Sequence, residues 1–424
     1  MARAIIASSM HVVFVLPRFH PYPGGYENLV LWLARRLREG GDSVTVLTTT
    51  AYDLESFWLP GFRTLPLGSE DLAGINIVRL PISYARWSRR AGRLLGFVPY
   101  WRWQAQFARP SFHVPGLSAY LRSLRGIDVI HVGPLPYNRL LYQGIQEAHR
   151  RRCRVIATPC THFGEEDNSQ VAQHYTQPFQ IQLLNECDAV LALTSIERDR
   201  LVQAGVAKQK ITATGAGIDP ADVTDGNASR FRDKYGITGA VVLHLGTKAR
   251  DKGSFTVFEA MQQLWASGSQ AWLVMAGSSL SEFDHFLRNQ HVRSGRLLNL
   301  SFVSEEEKRD LLAATTILVH PSRVESLGLV YLEAWANAKP VIAADTPVSR
   351  EVVAGENDGL LVPFGDSAAL ASAIQRLLEN QQLCEFLGRN GQKKVQNRFS
   401  SRAALDRMYP FFQAQSAGAE KTSA

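Results

Sequence analysis

Cysteine is scarce in this chain and long apolar runs are missing. The only cysteines among 424 residues are Cys153, Cys160, Cys187 and Cys384, without CxxC spacing and without a histidine cluster nearby. Neither a zinc site nor a disulfide framework is expected, and reduced thiols in a cytoplasmic setting are the default. No apolar run reaches the roughly 18 residues needed to span a bilayer. The opening stretch, with one arginine before a short apolar run, reads as a tail and a buried strand rather than as a secretion signal. Acidic DxD clusters are lacking around the loops discussed below, so no metal is expected. Helix-turn-helix, zinc-finger and stacking motifs are also lacking, which argues against nucleic acid as a partner. Lysine does not occur before Lys208. Residues 1–150 nevertheless hold 17 Arg against 9 Asp and Glu, a balance of +8 within a chain whose total is +7. The basic character therefore belongs to the first part of the chain.

What is present points to two domains. A chain of this length exceeds one ordinary core and divides into units of about 200 residues. The most informative stretch is residues 319–342, VHPSRVESLGLVYLEAWANAKPVI. An apolar β-type run at 317–319 is broken by His320, Pro321 and Ser322, and Gly328 opens an apolar helix that ends near Pro340. Glu333 stands in that helix among Leu332, Ala334, Trp335 and Ala336, where an unpaired carboxylate costs several kcal/mol, roughly, unless donors reach it. Sugar and ribose hydroxyls are such donors. Glu325 lies one loop earlier, ahead of the amides of Leu327, Gly328 and Leu329, which can hold a phosphate at the helix's positive end. Together they suit a nucleotide sugar, with a diphosphate between two sets of hydroxyls. The plainer alternative is a solvated Glu325 and a Glu333 paired with a core cation.

Elsewhere the chain alternates strands and helices. Strands are expected at 11–16, 43–49, 128–132, 154–158, 188–193 and 211–213, and again at 240–245, 272–276, 297–302, 317–320, 341–344 and 360–362. Residues 220–239 read as a linker. Gly24 and Gly25 follow the first strand at the carboxyl edge of a parallel sheet, where a bare backbone can approach a ligand. His162 falls just past another strand, among polar residues, as a ligand-facing or a structural histidine. Lys252 lies in the first strand-to-helix loop of the second half, where an ammonium and free amides can neutralise a diphosphate, or simply face solvent. Residues 84–114 mix arginines with aromatics at loosely helical spacing. They read either as a surface for anionic headgroups or as an ordinary helical insertion.

These residues carry a family resemblance. The sequence resembles the retaining nucleotide-sugar glycosyltransferases of the GT-B fold, glycosyltransferase family 4, from the first strand to about Phe412 and most strongly over 246–363. The carriers are Pro21-Tyr-Pro-Gly-Gly25, Gly217-Ile-Asp219, Lys252-Gly253, the Glu325/Glu333 pair and Asn357-Asp-Gly-Leu-Leu-Val-Pro363. The resemblance implies an α/β fold of two Rossmann-like, doubly wound parallel-sheet domains facing across a cleft. It implies an acceptor domain at 1–219, a donor domain at 220–398 and a C-terminal segment at 399–424 returning to the first domain before a disordered tail. His162, Lys252 and Glu325 take catalytic roles in this picture. Gly24, Gly25, Gly246, Lys248, Arg250, Lys252, Glu325, Ser326, Leu327, Gly328, Leu329 and Glu333 line the donor.

The implied reaction moves a hexose from a UDP- or GDP-sugar to an acceptor hydroxyl with retention. The acceptor is a sugar or a lipid-linked intermediate of cell-surface polysaccharide or glycolipid synthesis, and no cofactor is needed. The enzyme would be cytoplasmic or peripheral on the inner membrane face; a non-catalytic sugar-nucleotide-binding subunit is the alternative. Three positions depart from the family. Thr247 replaces an arginine that binds the diphosphate, with Lys248 or Arg250 as substitutes; Leu327 replaces a usual Phe, and Ala338 a frequent Gly.

Overall fold

A computed structural model describes residues 9–84, 96–108, 112–164, 169–292 and 294–413. The chain divides into two compact units, one of residues 1–161, 172–214 and 405–424, the other of residues 162–171 and 215–404. Each is built on a mainly parallel sheet whose central strands are short runs rich in Val, Ile, Leu and Ala and buried on both faces, as helix-covered parallel sheets require.

The first unit contains β1 (His11–Val15), β2 (Ser43–Thr49), β3 (Gly68–Leu72), β4 (Ile75–Leu80), β5 (Val129–Val132), β6 (Arg154–Ala157), β7 (Ala189–Ala192) and β8 (Ile211–Ala213). Their order in the sheet is β3-β4-β2-β1-β5-β6-β7-β8, and only the β3–β4 pair is antiparallel. The second unit contains β9 (Val241–Leu245), β10 (Trp272–Ala276), β11 (Leu297–Leu300), β12 (Ile317–His320), β13 (Val341–Ala344) and β14 (Gly359–Val362), ordered β11-β10-β9-β12-β13-β14 and all parallel.

Both sheets reverse direction of winding once, between β1 and β5 and between β9 and β12. Ligands of open α/β sheets bind at such a reversal, outside the carboxyl ends of the strands. In the second unit the two loops that leave this point are residues 246–253 and 321–328, which contain Lys252 and Glu325.

Two expectations need correction. Residues 220–239 are not a bare linker but carry helices Pro220–Val223 and Ala228–Tyr235. The longer one is capped by Asn227, buries Phe231, and is fastened by Arg230 to Asp310, Nη2 to Oδ1 at 2.9 Å. Within 84–114 the described helical residues are 96–97 and the helix Trp101–Phe107; residues 85–95 and 109–111 lie outside the described residues. The C-terminal helix, Ser401–Gln413, places Phe412 face to face with His131 of β5, ring centroids 6.0 Å apart.

Candidate functional site

The second unit's site grows from the ends of two neighbouring strands. After β9, Gly246 and a turn at Arg250–Lys252 lead into helix Ser254–Ala266. After β12, the loop runs to Gly328 and helix Leu329–Ala336. The Arg323 amide donates to the Asp251 carbonyl at 3.0 Å, tying one loop to the other. Gly328 has φ +86°, and a Cβ there would meet the Tyr331 ring at 2.4 Å, so only glycine fits. Among the described residues, the amides of Leu327, Gly328 and Leu329 donate to no backbone carbonyl. They are the unsatisfied donors of a helix start.

Lys252 Nζ donates to Glu325 Oε1 at 2.6 Å and to the Val324 carbonyl at 2.8 Å. His320 Nε2 stands 2.9 Å from the same Oε1, which leaves Glu325 Oε2 uncommitted among the described residues. Burial pushes the Glu325 carboxyl up, but Lys252 and His320 outweigh it and hold it well below the usual carboxylate range. Behind His320 stacks His244, centroids 5.4 Å apart, itself held by the Val319 carbonyl and the Ser254 hydroxyl, both at 2.9 Å. Burial, then His320, lowers His244 to about 3 and keeps it neutral. Half-buried His162 is grouped with this unit, its Nδ1 3.5 Å from Ser326 Oγ. Burial and then the Lys252 charge bring it down to about 4, so it too is neutral near pH 7.

Other expected donor residues are placed differently. Glu333 is buried at 7% exposure, but it is not an unpaired carboxylate: Lys308 Nζ donates to its Oε1 at 2.7 Å. Burial lowers Lys308 and Glu333 raises it, with the net shift upward. The premise that ligand hydroxyls alone make Glu333 tolerable is therefore corrected; its Oε2 has no protein donor among the described residues. Lys248 is buried, with Nζ donating to Asn299 Oδ1 at 2.7 Å and the Leu300 carbonyl at 2.8 Å, and burial pushes it down to about 8. Arg250 is exposed, bonded through Nε and Nη2 to Glu282 and stacked on Phe255 at 4.3 Å. Neither cation bonds the Lys252–Glu325 cluster: Lys248 is engaged by Asn299 and the Leu300 carbonyl, and Arg250 by Glu282. Thr247 bonds Ser278 at 3.0 Å. Ala338 takes φ +53°, a strained value for a residue with a Cβ.

Sequence reading passed over three groups here. His320 supports Glu325, and its signal was a histidine closing an apolar strand just before the loop. Arg323 is bonded by Nε and Nη2 to Asp251 Oδ1 at 2.9 and 2.7 Å, fastening the loop after β12 to the residue that precedes Lys252. Lys308 comes from helix Glu305–Ala314, and no local pattern pointed to it.

In the first unit Gly24 precedes helix Gly25–Glu39, and a Cβ at Gly24 would lie 2.0 Å from Glu27 Oε2. The side chain packed there, Glu27, pairs with Arg18 at 3.2 Å. Arg18 Cζ lies 3.6 Å from the Tyr22 ring centroid, within a shell of Tyr52, Phe57, Phe112 and Tyr137. No group of three or more His, Cys, Asp or Glu able to hold a metal occurs among the described residues. No helix among them is long and apolar enough to cross a membrane.

Comparison with known proteins gives two family matches: "Glycosyl transferase 4-like domain" over residues 24–217 and "Glycosyl transferases group 1" over residues 228–394. The Staphylococcus aureus capsular polysaccharide biosynthesis glycosyltransferase CapM is 25% identical over 54% of this chain and 63% of its own length. Matches to the next three curated relatives span 47–55% of those proteins, so the chain covers about half to somewhat under two thirds of the relatives it matches first. The phosphatidyl-myo-inositol mannosyltransferase of Mycolicibacterium smegmatis is 23% identical over 88% of this chain and 86% of its length. Anabaena HepE, solved with UDP and glucose, superimposes with a TM-score of 0.69 at 18% identity, covering 96% of this chain and 100% of that one. With its two parallel α/β sheets, and with the two family matches meeting near the start of the second unit, the chain belongs to the glycosyltransferases of the GT-B fold.

Proposed function

We propose that this glycosyltransferase moves a hexose from a UDP- or GDP-sugar to an acceptor hydroxyl with retention of anomeric configuration, in the assembly of a polysaccharide or glycolipid. The observation that carries this reading is Glu325, fixed by Lys252 and His320 through one oxygen and left with the other uncommitted, directly before a helix start with free amides. A donor sugar hydroxyl is a fitting partner for Oε2. The diphosphate fits the amides of 327–329 and the Lys252 ammonium. Negative charge grows on the diphosphate as the glycosidic bond breaks, and preorganised donors of this kind stabilise it. Glu333 contributes through its second oxygen, oriented by Lys308, and is a supporting ribose contact rather than the foundation of the reading.

UDP and glucose in HepE, and the names of the capsular and phosphatidylinositol relatives, agree with a nucleotide-sugar donor and a glycoconjugate acceptor. No cofactor enters the scheme. Exposed Phe97, Tyr100 and Trp103, in a unit rich in arginine, support work at an anionic membrane surface on a lipid-linked acceptor.

A thermal-shift series with UDP- and GDP-hexoses tests the donor assignment, since a ligand at 100 times its Kd adds about 2.7 kcal/mol of stability. The responding donor is then tested for transfer and for the anomeric configuration of the product. Absence of any shift with all nucleotide sugars, in a folded preparation, overturns the reading.

A further inference from the structure

Several arginines of the first unit have carboxylate partners. Arg18 has Glu27, Arg79 has Glu70, and Arg150 and Arg151 share Glu147. Arg139 differs. It is the second residue of helix Asn138–Arg151, half-buried, and among the described residues its guanidinium meets no carboxylate and makes no hydrogen bond. Its Nε is buried without a partner. An enclosed guanidinium stays charged, so desolvation without a counter-ion is a standing cost that an anion relieves.

Arg139 is not alone in this. One turn along the same helix face, Gln143 donates through Nε2 to Ser118 Oγ at 3.0 Å and keeps Oε1 buried and unpartnered. His113, close enough for the Arg139 charge to disfavour its protonation, has an unpartnered buried Nδ1. Asn138, fully buried, has an unpartnered Nδ2. Four buried polar groups without partners around one helix start point to a missing polar ligand.

The apolar side of the site is also on the surface of this unit. The Phe107 ring centroid is 5.5 Å from Arg139 Cζ, at the end of helix Trp101–Phe107. Toward the other end of that segment, Phe97, Tyr100 and Trp103 are 84%, 44% and 41% exposed, beside exposed Arg102. Residues 84–114 contain six arginines and no Asp or Glu. The Arg139 guanidinium, without a carboxylate among the described residues, selects an anion, and the exposed rings select one attached to apolar chains.

We propose that Arg139 binds the phosphate of a membrane lipid, with His113 donating to it from Nδ1, Gln143 Oε1 accepting from a hydroxyl of the headgroup, and Phe97, Tyr100 and Trp103 meeting the acyl region. The proposal rests on the reading of this enzyme as acting on a lipid-linked acceptor, and it names the phosphate contact for that acceptor. An aromatic rim over a fixed guanidinium gives both depth and register to such a substrate.

The test uses the full chain and co-sedimentation with vesicles of phosphatidylcholine alone or of phosphatidylcholine with phosphatidylglycerol, at low and high salt. Wild-type protein is expected to bind the anionic vesicles, less so at high salt. Arg139→Gln is expected to lose about tenfold or more in affinity, the scale of one charge-assisted hydrogen bond, with an unchanged melting temperature and an unchanged shift by nucleotide sugar. Trp103→Ser is expected to lose vesicle binding while Arg139 still takes up inorganic phosphate. Wild-type affinity of Arg139→Gln for anionic vesicles overturns the proposal, as does no vesicle binding by the parent protein. Retained vesicle binding by Trp103→Ser, with loss of inorganic phosphate binding in Arg139→Gln, replaces the lipid by a soluble phosphate and overturns the lipid assignment. Loss of the nucleotide-sugar shift in wild-type protein alone rejects the donor reading and leaves the Arg139 result to be judged separately.

Discussion

At the carboxyl edge of the second sheet, Lys252, His320 and Glu325 answer one another at 2.6 and 2.9 Å around a single oxygen. At the corresponding edge of the first sheet, the Arg18–Glu27 pair sits inside a shell of rings, and Arg139 meets no carboxylate among the described residues. The same strand-loop-helix architecture is thus used twice with different chemistry. Fixed charges and free amides suit a partner whose charged part never varies, as a nucleoside diphosphate does. Flat rings and an uncompensated guanidinium suit a partner recognised by faces and one anion.

The largest effect is expected where the second edge is most tightly organised. Glu325→Gln keeps the shape and removes the charge to which Lys252 and His320 are directed, and turnover should fall about a hundredfold, or roughly 3 kcal/mol in the barrier. Steady-state sugar transfer, read beside a melting curve, checks this. Wild-type turnover would mean that charge is handled elsewhere and that the contrast between the edges is not functional. The pair also leaves a pH signature. Because the folded Glu325 carboxyl is held below its unfolded value, its contribution is present above about pH 4.3 and is lost as pH falls through the lower folded value.

The second-largest effect is expected at Lys308. Lys308→Met leaves the Glu333 carboxylate buried with no cation, and stability should drop by about 2 kcal/mol, less than for a sealed pair because Oε2 keeps other access. Urea denaturation measures it. Since the folded Lys308 is raised above its unfolded value, its stabilisation is complete below about pH 10.4 and disappears as pH rises through the folded value. An unchanged midpoint would mean that Glu333 does not depend on Lys308, and a ligand-only role for that carboxylate would return.

How far the sequence reveals these differences depends on range. The stretch from β12 to Ala336 is legible because its cues are local: an apolar run, a break at Pro321, a left-handed glycine at 328 and an apolar helix. Lys308 reaches Glu333 across 25 positions, and Lys248 reaches Asn299 across 51, so no window of sequence contains either decision. The strand Gly68–Leu72 escapes because it is a polar edge strand, mostly exposed, without an apolar alternation. Helix Ala228–Tyr235 escapes for a related reason: Phe231 is its one buried residue, and its start is marked by the Asn227 cap rather than by hydrophobicity. Arg139 is visible in the sequence as one arginine among many. Only the folded chain shows that, among the described residues, it meets the Phe107 ring and no carboxylate.

The smallest effect is expected at Lys248, and it separates two cations that the sequence left equivalent. Lys248→Met exchanges an ammonium held by Asn299 and the Leu300 carbonyl for a thioether, a change of about 1 kcal/mol near neutrality, with sugar transfer preserved. The informative reading is against pH. Burial brings the folded Lys248 down to about 8, whereas the unfolded lysine titrates near 10.4. Between those values the unfolded chain holds a proton that the folded chain has released, so wild-type stability should gain a rising component with pH across that window. The variant has no such group and should lack that component. If instead Lys248→Met weakens nucleotide-sugar binding while the pH curve stays as in the wild type, the ammonium faces the ligand rather than β11, and Lys248 takes over the diphosphate role that Thr247 vacates.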